Sequence, residues 1–272
     1  MYAADLGGQV WRFDILNGSA PPDLISGGVI AQFGAEGAAN VGPAGTRRFF
    51  STPDVALAYD PRQDKRFLAI NLGSGYRSHP LDNSVNDRFY SLRDKQVFTK
   101  LSQIAYDQYP ITYDADMIEV SGQVNVNLNE NDRGWKLTLP NNEKILAESR
   151  TFNDVIYFVS FEPEAASSDP CRAGLSINRL YRIDIRNGDP AVGDLDALVN
   201  SDAEEIDQAR VTTLEQGGIA VRPVFFFPSP ANADCEGAEC TPPPLGCVGV
   251  ECFDPGFPNK PVRTLWTQNG VN

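Results

Sequence analysis

A short word of alternating apolar and polar residues occurs twice in the chain, and the other elements are arranged around it. The first copy covers residues 10–18 (VWRFDILNG), and the second covers residues 180–188 (LYRIDIRNG). A looser third copy lies at residues 88–94 (RFYSLRD). Alternation with a period of two is typical of a β-strand, and Asn-Gly is a strong turn signal. We therefore predict three strands of one kind, each ending in a turn.

The alternation within the first copy is imperfect, because Val10, Phe13 and Ile15 do not all lie on one face. This predicts strands that are covered on both faces. A strand–turn unit that repeats along a chain indicates radially arranged sheets, as in a β-propeller. The copies lie roughly 80 to 90 residues apart, which is about two blades of 40 to 50 residues. We predict an all-β fold of the modified, quinoprotein-like β-propeller class, with a partial set of about four blades, long loop inserts and short helices.

The remaining patterns complete this prediction. Strands are expected at residues 2–5, 54–59, 66–72, 119–131, 134–139, 144–149, 155–161 and 221–227, and short helices at 97–106 and 202–209. In the helix at 97–106 we expect Leu101, Ile104 and Ala105 to point inward. Residues 19–46 are rich in glycine and read as a loop. We treat residues 1–272 as one domain, with blades at 1–228, a Cys/Pro-rich disulfide loop at 229–258 and a closing strand at 259–272.

Four of the five cysteines lie in a tandem pair of identical C-x-G-x-E-C motifs within the proline-rich segment. Prolines prevent regular core elements there, and such loops are commonly stabilised by disulfides in oxidising compartments. The spacing is wider than the C-x-x-C of most zinc sites, and no histidine lies near, so we favour disulfides over a metal. The sequence leaves the connectivity open. The disulfide candidates are Cys171, Cys235, Cys240, Cys247 and Cys252.

The formal net charge of −13 argues against a nucleic-acid partner, because a phosphate backbone binds basic surfaces. No run of eighteen apolar residues is present, so the sequence predicts no transmembrane segment. The start of the chain shows no signal peptide, and its first residues read as the middle of a strand. We therefore expect that the chain is a piece of a longer protein, with any targeting signal upstream.

Few residues suggest chemistry. His79 is the single histidine and reads as a turn residue. Asp114 and Asp116 would point the same way from a strand, as a carboxylate pair for acid/base chemistry would, but nothing else in the sequence supports that role. Residues 82–87 (DNSVND) offer oxygens for a cation, with a solvated turn as the alternative. The candidate metal ligands are Asp5, Asp82, Asn86 and Asp87.

The repeated word itself supplies structural candidates. We expect its aromatic residues, together with Trp135, to pack between blades, with a surface for stacking sugars or a partner as the alternative. Arg12 and Arg182 each precede an aspartate by two residues, so we expect each to pair with it on one strand face. The repeat residues are Trp11, Asp14, Tyr90, Asp94, Tyr181 and Asp184.

Several longer words resemble, in order, the C-terminal propeller of the PilY/PilC-type type IV pilus biogenesis proteins, which are also tip adhesins. They lie at residues 2–14 (YAADLGGQVWRFD), 73–80 (GSGYRSHP), 87–94 (DRFYSLRD), 134–137 (GWKL), 160–161 (SF), 169–171 (DPC) and 263–266 (RTLW). The resemblance implies a secreted, non-catalytic module at the pilus tip or outer envelope of a Gram-negative bacterium. It further implies roles in pilus extension, surface attachment and twitching motility. The implied partners are pilin or minor pilins and a host or abiotic surface.

The same resemblance implies Ca²⁺ as a regulatory cofactor, held by an Asp-rich loop just before the strand at residues 2–5. The D-x-D-x-D-G spacing of such a loop does not occur in this chain, so the family's calcium ligands cannot be assigned to residues here. The alternative function is a quinoprotein-like propeller dehydrogenase, because the strand–turn repeat also resembles quinoprotein repeats. That enzyme often has an adjacent cysteine pair, which the sequence lacks, so we expect neither catalysis nor pyrroloquinoline quinone.

Overall fold

The computed structural model describes residues 1–34, 46–96, 99–140, 142–163, 176–229 and 242–257. The strands are, in chain order, β1 (Tyr2–Ala4), β2 (Gln9–Ile15), β3 (Ile25–Gln32), β4 (Asp54–Asp60), β5 (Lys65–Gly73), β6 (Arg88–Asp94), β7 (Thr112–Tyr113), β8 (Ile118–Glu119), β9 (Gly134–Thr138), β10 (Lys144–Ile145), β11 (Arg150–Phe152), β12 (Val155–Glu162), β13 (Ile177–Asp184), β14 (Val211–Leu214), β15 (Val224–Phe226), β16 (Leu245–Val248) and β17 (Glu251–Phe253). The helices are α1 (Gln103–Asp107), α2 (Leu195–Leu198) and α3 (Ala203–Ala209), with short 3₁₀ turns at Pro21–Asp23 and Asp114–Asp116.

These strands form four sheets, numbered here in chain order. Sheet 1 has the order β1-β2-β3-β7, and sheet 2 has the order β4-β5-β6-β9-β8. Sheet 3 has the order β10-β12-β13-β14, with β11 also paired to β12, and sheet 4 is β15-β16-β17. Neighbouring strands are antiparallel except in the pairs β3–β7 and β8–β9. The described residues thus form a propeller-like, mostly β fold, which confirms the predicted fold class.

The three copies of the repeated word become strands in the interior of their sheets. β2 lies between β1 and β3, β6 lies between β5 and β9, and β13 lies between β12 and β14. A strand in this position is paired along both edges. In β6 every residue is buried, so both faces of that strand are covered as well. This agrees with the imperfect alternation of the word.

Apolar clusters lie between successive sheets. The cluster between sheets 1 and 2 includes Val10, Ile30, Phe33, Ile70, Tyr90 and Leu92. The cluster between sheets 2 and 3 includes Phe89, Trp135, Phe158, Tyr181 and Ile183, and the one between sheets 3 and 4 includes Tyr157, Leu180 and Val248. Neighbouring residues of one strand therefore enter different clusters, as Phe89 and Tyr90 of β6 do. The core is a series of aromatic-rich layers, one in each gap between sheets.

A short segment ties sheets 1 and 2 together. Within residues 112–119, β7 pairs with β3 of sheet 1 and β8 pairs with β9 of sheet 2, so one continuous segment supplies an edge strand to each. Asp114 between them is buried and forms ion pairs with Arg88 and Lys136 and accepts a hydrogen bond from the Tyr90 hydroxyl. These partners lower the pKa of the Asp114 carboxyl although burial opposes them. The ion pairs fix this segment, which we call the sheet 1–2 strap.

The structure corrects two strand predictions. Residues 25–32, within the predicted loop 19–46, form β3, which pairs along its length with β2. Residues 120–131 form a loop rather than the predicted strand, with backbone φ angles of 65° at Gly122 and 56° at Asn125. The alternation there has another cause, because Val120 and Leu128 are loop side chains that enter the core between sheets 2 and 3.

The predicted helices are partly correct. α3 lies within the predicted range 202–209 and is capped by the Asp202 side chain, which accepts from the Glu205 amide at 2.9 Å. α1 is shorter than predicted. Its buried residue is Tyr106, whereas Ile104 is 70% exposed, and Leu101, just before the helix, packs against the core as predicted. Within the described ranges, no helix combines the length and the apolar character needed to cross a membrane.

The Cys/Pro-rich segment is more regular than predicted. Instead of a loop throughout 229–258, β16 and β17 form a hairpin with the two-residue turn Gly249-Val250, and β15 pairs with β16. Cys247 lies opposite Cys252 across this hairpin, and the two form a disulfide. The prolines of this segment that the structure describes, Pro242–Pro244 and Pro255, lie outside the paired strands, so they do not interrupt the hairpin. Cys171, Cys235, Cys240 and the predicted closing strand 259–272 lie outside the described residues.

Candidate functional site: a cleft between sheets 2 and 3

A cleft of about 270 Å³ opens between sheets 2 and 3, beside the turn that follows β13. Each wall comes from loops at the ends of strands. The β4–β5 connection and the end of β6 form one wall, and the turn after β13 forms the other. The loop at 125–128 completes the cleft. Its polar lining residues are Asp60, Arg62, Arg93, Asn125, Asp184, Arg186, Asn187 and Asp189.

Arg93, at the end of β6, is the buried cation of the first wall. Its Nη1 lies 3.4 Å from Asp60 Oδ2, and its Nη2 donates to the Arg186 carbonyl across the cleft. Its guanidinium carbon lies 4.4 Å above the centre of the Phe67 ring, a cation–π contact. Burial lowers the pKa of Arg93, and the Asp60 carboxylate partly opposes this. Arg93 therefore links both walls from a fixed position.

The second wall is the Asn187-Gly188 turn of the repeated word. The Asn187 amide donates to Asp189 Oδ2 at 2.6 Å, and the Asn125 backbone N–H donates to Asp189 Oδ1 at 2.8 Å. Gly188 has a φ of 73°, and a Cβ at this position would lie 2.8 Å from Val120. The glycine is therefore required both by its left-handed backbone and by the close approach of the core. Burial raises the pKa of the Asp189 carboxyl.

Asp184 and Arg186 complete that wall. The Arg186 Nε donates to Asp184 Oδ1 at 2.9 Å, the Nη2 donates to Oδ2, and the Arg186 backbone N–H also donates to Oδ1 at 2.7 Å. This two-point pairing orients both side chains, which remain partly exposed to the cleft. The cleft therefore has charged groups whose directions are fixed by one another.

A second depression of about 600 Å³ adjoins the first and shares Asp60 and Arg93 with it. Tyr59 lies on its wall, 47% exposed, and its hydroxyl donates to Asp64 at 2.7 Å. Lys65 and Glu130 form an ion pair at its rim. The two depressions together offer a continuous polar surface with one exposed aromatic ring, and we call them the sheet 2–3 cleft.

The two full copies of the repeated word use their Arg and Asp residues differently. Arg12 pairs with Asp14 at 3.1 Å, as predicted, and also with Asp94 at 2.7 Å. Arg182 does not pair with Asp184, because Asp184 is occupied by Arg186. The Arg182 Nη2 instead donates to Thr212 Oγ1 of β14 at 2.8 Å. The predicted pairing is therefore correct for the first copy and wrong for the second.

The repeat aromatics also differ. The Tyr90 ring stacks on Phe33 at 4.3 Å between sheets 1 and 2, and the Tyr181 ring stacks on Phe158 at 4.6 Å between sheets 2 and 3. Trp11 is half-buried, stacks on Phe13 of its own strand at 6.1 Å, and donates from Nε1 to Asp5. Two of the three aromatics thus pack between sheets.

The candidate metal ligands do not converge. Asp5 accepts from the Gly7 and Gln9 amides and from Trp11, and so braces the β1–β2 turn. Asp82 accepts from the Ser84 amide, and the buried Asp87 accepts from the Ser74 hydroxyl at 2.6 Å. The Asn86 carbonyl accepts from Arg47. In the part of the chain that the structure describes, no group of three or more His, Cys, Asp or Glu residues is arranged to hold a metal.

The other residues considered for chemistry have structural surroundings. His79 lies in an exposed turn, with its ring 4.8 Å from that of Tyr76. Asp114 and Asp116 belong to a 3₁₀ turn rather than a strand, which corrects the predicted pair. Asp116 Oδ2 accepts from the Tyr113 amide at 2.8 Å, whereas Asp114 is buried in the sheet 1–2 strap. The two carboxylates therefore have separate structural roles.

Comparison with known proteins identifies a solved structure of similar fold. Among solved structures, the C-terminal domain of PilY1 from Pseudomonas aeruginosa is similar to this chain, with a TM-score of 0.58 and 16% sequence identity. The match covers 94% of this chain and 57% of the solved chain, so this chain spans little more than half of that structure. No protein-family model and no curated protein sequence matches. At this identity the likeness establishes a shared fold.

Proposed function

We propose that the chain is a non-catalytic binding domain of a type IV pilus-associated protein. The observation that supports this most is the fold likeness to the PilY1 C-terminal domain, which extends over 94% of the chain. The words that resemble the PilY/PilC-type proteins support the same assignment independently, since they were read from the sequence. Two of them form the interior strands β2 and β6, which are central to the fold.

In finer detail, we propose that the protein acts at the cell surface, where it supports pilus extension, surface attachment and twitching motility. Pilin or minor pilins are the proposed partners on the pilus side. Calcium regulation is proposed through a loop upstream of β1, as the family resemblance implies. Asp5, at the end of the β1 hairpin, is the described candidate nearest to such a loop in sequence.

Deletion of the gene in its own bacterium tests this role. We expect a loss of surface pili in electron micrographs and a smaller twitching zone, with both restored by the intact gene on a plasmid. Unchanged pilus number and motility would contradict the proposal. Growth rate and flagellar swimming serve as controls, because they should not change.

The dehydrogenase alternative has a separate test. The purified protein is supplied with pyrroloquinoline quinone and Ca²⁺, and oxidation of a panel of primary alcohols is followed with an artificial electron acceptor. We expect no turnover above that of a heat-denatured sample. Turnover that depends on both the quinone and the protein would replace the binding role by a catalytic one.

A further inference from the structure

In the first depression of the sheet 2–3 cleft, cationic and anionic side chains are equal in number. This depression is lined by the guanidinium groups of Arg62, Arg93 and Arg186 and by the carboxylates of Asp60, Asp184 and Asp189. A guanidinium only donates hydrogen bonds and a carboxylate only accepts them. A hydroxyl group does both, so a ligand rich in hydroxyls can satisfy both sets at once. A ligand that carries charge of one sign would meet groups of both signs in this depression.

These groups are held in place before any ligand arrives. Asp184 and Arg186 orient each other through a two-point ion pair. Asp189 is fixed by Asn187 and by the Asn125 amide, and Asp60 accepts from the Arg62 amide at 3.0 Å. Binding therefore costs little side-chain entropy, which favours uncharged, strongly hydrated ligands whose net binding energy is small.

Apolar side chains lie among the polar groups. Val126, Leu128, Pro190 and Leu195 line the same depression. They offer aliphatic contact for the C–H faces of a sugar ring, while the carboxylates and guanidinium groups address its hydroxyls. Tyr59 in the adjoining depression adds an aromatic ring that is 47% exposed and held by its bond to Asp64. An amphipathic ring of this kind has an apolar face and a polar edge.

The size of the site sets the ligand length. The first depression, about 270 Å³, is near the lower limit of ~300 Å³ for small-molecule sites. The second, about 600 Å³, continues from it past Asp60 and Arg93. A chain of two or more sugar rings therefore fits better than a single ring.

We propose that the sheet 2–3 cleft binds an uncharged oligosaccharide, with Arg62, Arg186 and Asp184 contacting its hydroxyls. The proposal rests on the binding role assigned above, to which it adds a ligand class. It involves no metal ion, since the cleft provides the contacts itself.

The test uses the whole purified chain on a printed array of neutral, N-acetylated and sialylated oligosaccharides, followed by calorimetry with the best neutral ligand. We expect neutral oligosaccharides to bind, and binding to persist in EDTA. Arg62→Ala and Arg186→Ala should each weaken the affinity at least tenfold. Arg222→Ala is the matched control, because Arg222, like Arg186, is an exposed arginine in one ion pair, here with Glu148, but lies outside the cleft. This variant should bind as the wild type does.

Three outcomes would overturn the proposal: no oligosaccharide bound at millimolar concentration, binding confined to sialylated ligands, or binding that the cleft variants leave unchanged. Thermal unfolding of each variant shows whether a loss of binding reflects misfolding, and Asp184→Asn, which keeps the shape of the side chain, provides a third cleft variant. The phenotype of the gene deletion does not depend on whether the protein binds sugar. The oligosaccharide proposal and the pilus proposal can therefore fail separately.

Discussion

The two full copies of the repeated word, in β2 and β13, share a sequence pattern but have different surroundings. In β2, Arg12 is buried between Asp14 and Asp94, and the hydroxyls of Tyr2 and Tyr106 donate to the two carboxylates. In β13, the matching aspartate, Asp184, faces an open cleft and pairs with Arg186. The pattern thus specifies the strand and its turn. Partners that are distant in sequence determine whether the charged side chains are buried in the core or exposed at the surface.

The carboxylate partners of the arginines in the two copies, Asp94 for Arg12 and Asp184 for Arg186, provide the strongest test of this difference. Asp94→Asn should lower the free energy of unfolding by about 3 kcal/mol, because it removes one partner of a buried ion pair. Asp184→Asn should cost about 0.5 kcal/mol, since its ion pair is partly exposed and the amide still accepts from the Arg186 backbone. Urea denaturation of both variants measures the losses. Equal losses would mean that the two copies are equivalent.

The turn glycines of the two copies sharpen the comparison at the backbone. Gly18 and Gly188 both have positive φ, 85° and 73°. A Cβ at Gly18 would meet nothing within 4 Å, so Gly18→Ala should cost about 1 kcal/mol from its backbone alone. Gly188→Ala should cost about 2 kcal/mol, because its Cβ would also press on Val120. Thermal unfolding shows which variant loses more stability. A larger loss for Gly18→Ala than for Gly188→Ala would contradict the prediction.

The tyrosine of the first copy predicts an alkaline effect. Burial, together with the hydrogen bond to Asp94, raises the pKa of Tyr2. In the unfolded chain the Tyr2 hydroxyl ionises near pH 10. The stability that its hydrogen bond contributes is therefore complete below pH 10 and is lost as the pH rises further. Tyr2→Phe should therefore cost about 1.5 kcal/mol at pH 8, the value of a hydrogen bond to a charged group. The difference from wild type should shrink by pH 11 in urea titrations; a constant difference would argue against the bond.

The smallest effect is expected at Arg182. Arg182→Gln should cost less than about 1 kcal/mol, since the side chain donates one hydrogen bond to Thr212 and its Nε is buried without a partner. The matched substitution Arg12→Gln removes the cation of a buried network and should cost several times more. Comparable losses in chemical denaturation would show that Arg182 has an electrostatic role after all.

Local pattern accounts for much of the fold. Strands such as β2, β5 and β12 follow from alternation and apolar runs, and the Asn-Gly pairs mark real turns. The same rule fails at residues 120–131, where a loop places alternate side chains in the core. Period-two alternation records which side chains are buried, and it does not report whether the backbone is paired. β3 is the opposite case: its two glycines are typical of a loop, although the strand pairs along its length with β2.

The candidate site was harder to predict. The Asn187-Gly188 turn was visible in the sequence, but nothing local indicated that Asp60 and Arg93 would meet it. Arg93 lies 93 residues before Arg186, whose carbonyl accepts its hydrogen bond. The site forms only where sheets 2 and 3 pack together, so it depends on tertiary structure that local sequence patterns do not specify. The Asp60-Pro61 turn and the Arg-Asp end of β6 were the signals available, and neither is specific.

The sheet 1–2 strap has a mechanical consequence. β7 and β8 are separated by four residues, so peeling one from its sheet pulls directly on the other. Asp114, which lies between β7 and β8, is paired with Arg88 and Lys136 of sheet 2. The short span between the two strands therefore has little freedom to extend. We therefore expect sheets 1 and 2 to give way to a pulling force together rather than one after the other.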